Sequence, residues 1–186
     1  GQPLCEDALY SLSPLVEFVH TASLIHDDIE DGAQLRRGKP CAHVRYGLDA
    51  ALNAGSWLYF EAAACISLLD APCAFKATLY ALYAEELRRL HLGQAMDIAW
   101  HREAALFPSL AEYSAMVRCK TGTLASLAAR IGVTAGGGSG EACRAAGKIA
   151  AMLGEGFQIL DDVQNLTAGN VGKHRGDDIV EGKKSL

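Results

Sequence analysis

Two short acidic runs, DDIED at residues 27–31 and DDVQN at residues 161–165, each close a long apolar stretch. In the first, Asp27 and Asp31 are four residues apart and share a helix face, with Asp28 beside it. In the second, Asp161, Asp162 and Asn165 repeat the pattern with an amide in the last place. Carboxylates crowded on a helix C-terminus repel one another and oppose the helix dipole, at about 0.3–1 kcal/mol for each unfavourable interaction. A positive partner is therefore expected. For one such motif, a solvated helix end or an ion pair with Arg36 and Arg37 would suffice. Two copies, each behind a core-like run, favour Mg²⁺, a hard cation that takes oxygen ligands and commonly uses a few carboxylates with substrate phosphates. Arg36, Arg37, Lys39, Lys120, Lys173, Arg175 and Lys183 are the candidates to pair with those phosphates, the arginines in bidentate fashion. The chemistry this implies is metal-assisted departure of a diphosphate.

The elements that must position these groups read as helices. Ser13-Pro14 supplies an N-cap and a first-turn proline for a helix that carries Leu15, Val16, Phe18, Val19, Ala22 and Ile25 at helical spacing and ends in the first acidic run. Asp49 starts a second helix to about Leu69, and Pro72 opens a third that passes Gln94 and Asp97 toward Trp100. Ser109-Leu-Ala-Glu112 has capping-box spacing, so a fourth helix runs through Lys120 toward Ile131. The glycine-rich Ala135 to Gly140 is a loop without the Gly-Lys-Ser/Thr of a P-loop, and a fifth helix follows from Glu141 to about Leu166. No segment alternates cleanly enough for a strand. The fold class is all-α, with wide apolar faces that pack around a central cavity or against a partner.

Composition bounds the rest. The 186 residues, half of them apolar, suffice for one sizeable core, and a single domain is expected over 1–186. A net charge of -5 argues against general affinity for nucleic acid or anionic lipid. The six cysteines show no CxxC pair and read as reduced, buried thiols. No stretch approaches 18 uninterrupted apolar residues, so no transmembrane segment is expected and a cytoplasmic protein is. His26, His43, His91, His101 and His174 have no metal-site spacing.

Taken together, HTASLIHDDIEDGAQLRRGKP, LGQAMDIAW, KTGTLASLAARIG, GFQILDDVQNL and VGKHRGDDIVEGKKSL resemble, in order, the motifs of the trans-isoprenyl diphosphate synthases, the polyprenyl synthetase family, with a geranylgeranyl diphosphate synthase-like cast. The resemblance implies an orthogonal all-α bundle around a deep apolar cavity, usually a homodimer. The reaction it implies is head-to-tail condensation of isopentenyl diphosphate onto an allylic diphosphate. By the same resemblance Asp27, Asp28, Asp31 and Asp161 would bind three Mg²⁺ that grip the allylic diphosphate, with Asp162 and Asn165 completing the second motif. Arg36, Lys120, Lys173 and Lys183 would touch the allylic diphosphate, and Arg37 and His20 the isopentenyl diphosphate. Thr121, Gln158, Gln94 and Asp97 would line the cavity near the developing cation. The released diphosphate would take the final proton, so no dedicated protein base is implied.

The family also carries a Gly-Gly-Lys-Arg element well upstream of the first acidic motif. Only 26 residues precede Asp27 here and none supplies it, so a partial chain lacking N- and C-terminal helices is expected. Product length is the remaining question. Ala22 and Ser23 lie about 6–7.5 Å before Asp27 along the helix, where short-chain members place an aromatic ring. Small residues there leave a tunnel open and favour a product of twenty carbons or longer. A class I terpene cyclase and a non-catalytic partner subunit of a heteromeric synthase are the alternatives. The first fits the second motif poorly, and the second sits badly with two intact motifs.

Overall fold

Helix α1 runs from Glu6 to Glu30 in the computed structural model, which describes residues 4, 6–103, 105–167, 175–176 and 183–184. A two-stranded antiparallel ladder follows, β1 (Leu35–Arg36) on β2 (Lys39–Pro40), then a short α2 (Ala42–Tyr46) and α3 (Leu48–Ser67). The remaining helices are α4 (Cys73–Arg102), α5 (Leu110–Lys120), α6 (Gly122–Ala135) and α7 (Gly140–Thr167). Among the described residues the fold is all-α apart from the four ladder residues. The chain divides into two compact units, Gly1–Ala84 with Leu127–Ala146, and Glu85–Ser126 with Gly147–Leu186.

Three local expectations are corrected. Pro14 lies inside α1 rather than at its start. The helix begins at Glu6 because Glu6 and Asp7 in its first turn complement the dipole, and Pro14 sits on the exposed face where the amide bond it forgoes costs least. The helix expected to run from Ser109 to Ile131 is broken at Thr121 into α5 and α6. The break falls where the chain presses on α7: a Cβ on Gly122 would meet the Ala151 carbonyl oxygen at 2.8 Å, and one on Gly154 would meet Gly122 Cα at 2.8 Å. The ladder and α2 were not legible from alternation, since neither is long enough to show a period. The capping box at the start of α5 is present, with the Ser109 hydroxyl accepting from the Glu112 amide and the Glu112 carboxylate accepting from the Ser109 amide.

In the first unit α1 packs on α2 and α3. It buries Leu12, Leu15, Val19 and Ala22, and α3 buries the small residues Ala51, Gly55 and Ala62 together with Ile66. Small side chains let the helix axes close. A Cβ on Gly55 would stand 2.7 Å from His26 Cε1 and 3.1 Å from Ile25 Cγ2. His26 stacks on Tyr59 with ring centroids 5.6 Å apart, its Nδ1 is 2.9 Å from the Ala22 carbonyl and its Nε2 is 3.4 Å from the Ser56 hydroxyl. A carbonyl only accepts, so Nδ1 carries the proton and Nε2 receives the Ser56 hydroxyl. Among the described helices α1 is long and apolar enough, by length and composition alone, to cross a membrane. One such helix is weak evidence of a span, and α1 here buries one face, against α2 and α3.

In the second unit Tyr113, Met116 and Val117 of α5 are buried with Met96, Trp100 and Ile159 packed against them. Gly93 sets the approach of α4 to α5: a Cβ there would lie 2.4 Å from the Lys120 backbone nitrogen and 2.8 Å from the Cys119 carbonyl carbon. Five cysteines, Cys41, Cys65, Cys73, Cys119 and Cys143, are free thiols.

Candidate functional site

The first acidic run lies where α1 stops. Gly32, at φ 64°, donates its amide to the Ile29 carbonyl at 3.2 Å, and Ala33 donates to the Asp28 carbonyl at 2.9 Å. This Schellman closure satisfies the last carbonyls and turns the chain so that Asp27, Asp28 and Asp31 stay together at the helix end. The ladder then brings a cation back. Its two-residue loop, Arg37-Gly38, has φ 52° and 75°, the positive pair that a tight hairpin favours, and the register pairs Arg36 with Lys39. Arg36 Nε donates to Asp28 Oδ1 at 2.7 Å and its Nη2 to Asp27 Oδ2 at 3.2 Å. Asp28 is the deeper of the pair, its side chain 7% exposed against 19% for Asp27. Burial first, and then the neighbouring Asp28 carboxylate, push the thiol of buried Cys41 up to about 11, so it stays protonated. Arg37 and Lys39 are exposed, and His20 is half-buried with its carbonyl accepting from the Ser23 hydroxyl at 2.8 Å.

The second cluster is built on α4, α5 and α7. Lys120 Nζ, at the end of α5, donates to Asp97 Oδ2 at 2.5 Å, and Gln94 is half-buried one turn earlier on α4. The Thr121 hydroxyl donates to Gln158 Oε1 at 3.0 Å. Gln158 Nε2 donates to Asp162 Oδ1 at 2.9 Å, and the Tyr113 hydroxyl donates to Asp162 Oδ2 at 2.5 Å. Asp162 is buried and Asp161 half-buried. Asn165 is 1% exposed, so a carboxylate in its place would be a buried charge. Arg175 Nε donates to the Leu166 carbonyl at 2.8 Å, where a cation suits the α7 C-terminus. Lys183 is half-buried, and Lys173 lies outside the described residues.

Along the same α5–α7 seam, Glu155 accepts from the Ser114 hydroxyl and from Arg118 Nε at 2.5 Å. Burial alone would push this carboxyl up, but the Ser114 hydrogen bond and the Arg118 guanidinium outweigh it and hold the group below the usual carboxylate range. A depressed folded-state value contributes stability that is present above the unfolded value, about 4.5, and is lost as pH falls through the folded one. Glu155→Gln is expected to lower stability by about 1–2 kcal/mol at neutral pH, the half-exposed arginine being discounted for solvent screening. Its melting temperature should then fall less steeply than the wild type's under acid, as thermal melts from pH 7 to pH 3 would show.

Some of the residues singled out from the sequence therefore gather into two clusters, one in each unit. Asp27, Asp28 and Arg36 bond directly in the first; Lys120 with Asp97, and Thr121 with Gln158 and Asp162, bond in the second. Tyr113, Cys41 and Glu155 were missed. Tyr113 gave a signal only in retrospect, because seven residues before Lys120 is two helical turns on one face. Among the described residues no three His, Cys, Asp or Glu side chains form a self-sufficient metal cage. The donor set still suits Mg²⁺, which is commonly held by one or two carboxylates with water and substrate phosphates.

Comparison with known proteins places this fold and these motifs in a class. The family profile described as Polyprenyl synthetase matches residues 4–186, and the chain belongs to that family. A geranylgeranyl pyrophosphate synthase of Metarhizium anisopliae is 41% identical over 190 residues, 100% of this chain and 54% of its own. The crystal structure of a geranylgeranyl pyrophosphate synthetase from Pyrococcus horikoshii Ot3 is 31% identical with a TM-score of 0.90, covering 99% of this chain and 56% of that one. A polyprenyl synthase from Caulobacter crescentus CB15, solved in complex with calcium and isoprenyl diphosphate, is 30% identical with a TM-score of 0.85, covering 98% of this chain and 54% of that one. The chain spans about half the length of the curated relatives it matches.

Proposed function

We propose that the whole protein is a prenyltransferase that condenses isopentenyl diphosphate head-to-tail onto an allylic diphosphate, giving a linear trans-prenyl diphosphate of twenty carbons or longer. The observation that carries this reading is the acidic end of α1, closed by Gly32 and already bracketed by the Arg36 guanidinium, in a chain of the polyprenyl synthetase family. The names of its relatives support the twenty-carbon product.

In this reading Asp27, Asp31 and Asp161 hold magnesium, while Asp28, committed to Arg36 beside Cys41, fixes the helix end behind them. Magnesium, when bound, supplies neutralisation of the charge that grows on the leaving diphosphate. Arg36, Lys120, Lys173 and Lys183 bind the allylic diphosphate and add to that stabilisation; His20 and Arg37 bind the isopentenyl diphosphate. Gln94 and Asp97 set the polarity beside Lys120, Asp97 through its ion pair. Thr121 and Gln158 link that end of α5 to the second acidic run. The fold takes up a homodimer in the cytoplasm, which sedimentation of the whole protein and its fractionation from the cell would test.

The test is product analysis with Mg²⁺, isopentenyl diphosphate and each allylic primer in turn. Linear prenyl diphosphates support the reading; cyclic hydrocarbons point to a cyclase, and no turnover by folded protein points to a partner subunit. Product length rests on Ala22 and Ser23. Ala22 is fully buried, whereas Ser23 is half-buried and accepts an enlarged side chain with less repacking. Ser23→Phe is expected to shorten the product by at least one five-carbon unit on chromatography; an unchanged length places the tunnel floor elsewhere.

A further inference from the structure

The polar seam between α5 and α7 holds one carboxylate of the second acidic run from both sides. Asp162 is 5% exposed, and a buried carboxylate is tolerated only where its oxygens are satisfied. Both are: Oδ2 by the Tyr113 hydroxyl and Oδ1 by the Gln158 amide. Gln158 is itself fixed, because its carbonyl oxygen receives the Thr121 hydroxyl. Each end of that amide is thus engaged, and its orientation is set by the bond at either end: the oxygen toward Thr121, the nitrogen toward Asp162. The Tyr113 ring is locked by packing with Met116, Val117, Met96, Trp100 and Ile159, so its hydroxyl cannot swing away.

We propose that Tyr113 is a positioning residue of the second acidic motif, acting with Gln158 to clamp Asp162 so that the end of α7 keeps one geometry for its neighbour Asp161. The inference rests on the prenyltransferase reading, in which Asp161 holds magnesium. Rotation of Asp162 about its side-chain bonds would break one of two buried hydrogen bonds, and without the clamp its carboxylate competes with Asp161 for the same cation. The clamp also reaches Thr121, so the α5–α6 break next to Lys120 and the acidic end of α7 are joined by an unbroken series of hydrogen bonds. A purely structural hydroxyl would lower stability and leave metal dependence alone; a positioning hydroxyl would change metal dependence.

Tyr113→Phe separates these, because it keeps the packed ring and removes only the oxygen. The experiment is calorimetric titration of the whole protein with inorganic pyrophosphate at stepped Mg²⁺ concentrations, beside thermal melts. For Tyr113→Phe the Mg²⁺ concentration at half-maximal pyrophosphate binding is expected to rise about tenfold, the scale on which groups that orient metal ligands act. Gln158→Met, of similar length and without the amide, is expected to shift it in the same direction, and decides the matter if the first variant does not fold. An unchanged Mg²⁺ dependence in either folded variant overturns the positioning role and leaves the prenyltransferase reading standing. Absence of Mg²⁺-dependent pyrophosphate binding in the wild type overturns that reading, and this inference with it.

Discussion

Asp27→Ala is expected to leave the chain folded and to lower turnover on the order of 10³-fold, the scale of losing one group aimed at developing charge. The two halves of that expectation have separate physical origins. Folding should not suffer, because the substitution removes one of several like charges at a helix C-terminus, relieving about 0.3–1 kcal/mol of repulsion and dipole opposition. Arg36 keeps its shorter bond, 2.7 Å to Asp28, so the hairpin stays anchored. Turnover should suffer because Asp27 is the more exposed of the two bonded carboxylates and the one a cation can reach. A melting temperature equal to or above that of the wild type, with turnover lost, is the signature. Turnover retained would remove the acidic end of α1 from the chemistry and sink the proposed function.

Gly93→Ala is expected to be among the most destabilising single-methyl additions in the chain. The added Cβ would meet backbone at 2.4 and 2.8 Å and the Cys119 Cβ at 2.9 Å, and backbone at a helix crossing cannot step aside as a flexible side chain can. Relieving the clash means parting α4 from α5, with a cost of about 3 kcal/mol. For a chain of this size that is a fall of about 10 °C in melting temperature. Parting the helices also pulls Asp97 from Lys120, because those residues are the next contact along the same crossing. Gly156→Ala is the matched control, since a Cβ there meets nothing within 4 Å and a helix-interior glycine replaced without strain gains stability. Equal melting temperatures for the two variants would show that the α4–α5 approach is not set by Gly93.

The helical class and the long helices were legible because apolar periodicity survives over many turns. The start of α5 was legible because Ser109 and Glu112 satisfy backbone groups that only a helix leaves open. What stayed hidden depends on distant partners. The break at Thr121 exists because α7 carries Ala151 and Gly154 where Gly122 must pass, a fact some 30 positions away in the chain. Pro14 misled because its preference for a first turn is local, while the acidic residues ahead of it carried the helix further back. In the candidate site, residue types and spacing pointed to the carboxylates and cations. They could not show that Asp28 turns inward to Cys41 or that Asp162 is held by Tyr113, since those pairings are made by tertiary packing.

The guanidinium of Arg36, lying across Asp27 and Asp28, makes the acidic end of α1 a site with its own stand-in cation. A cluster of carboxylates that had to await a metal would be strained in every molecule without one. Here Arg36 already answers the charge; in the proposed function an incoming cation would take Asp27 by exchange. In the proposed reading the exchange has a second product: the arginine surrendered by the carboxylate is the same group that the diphosphate needs.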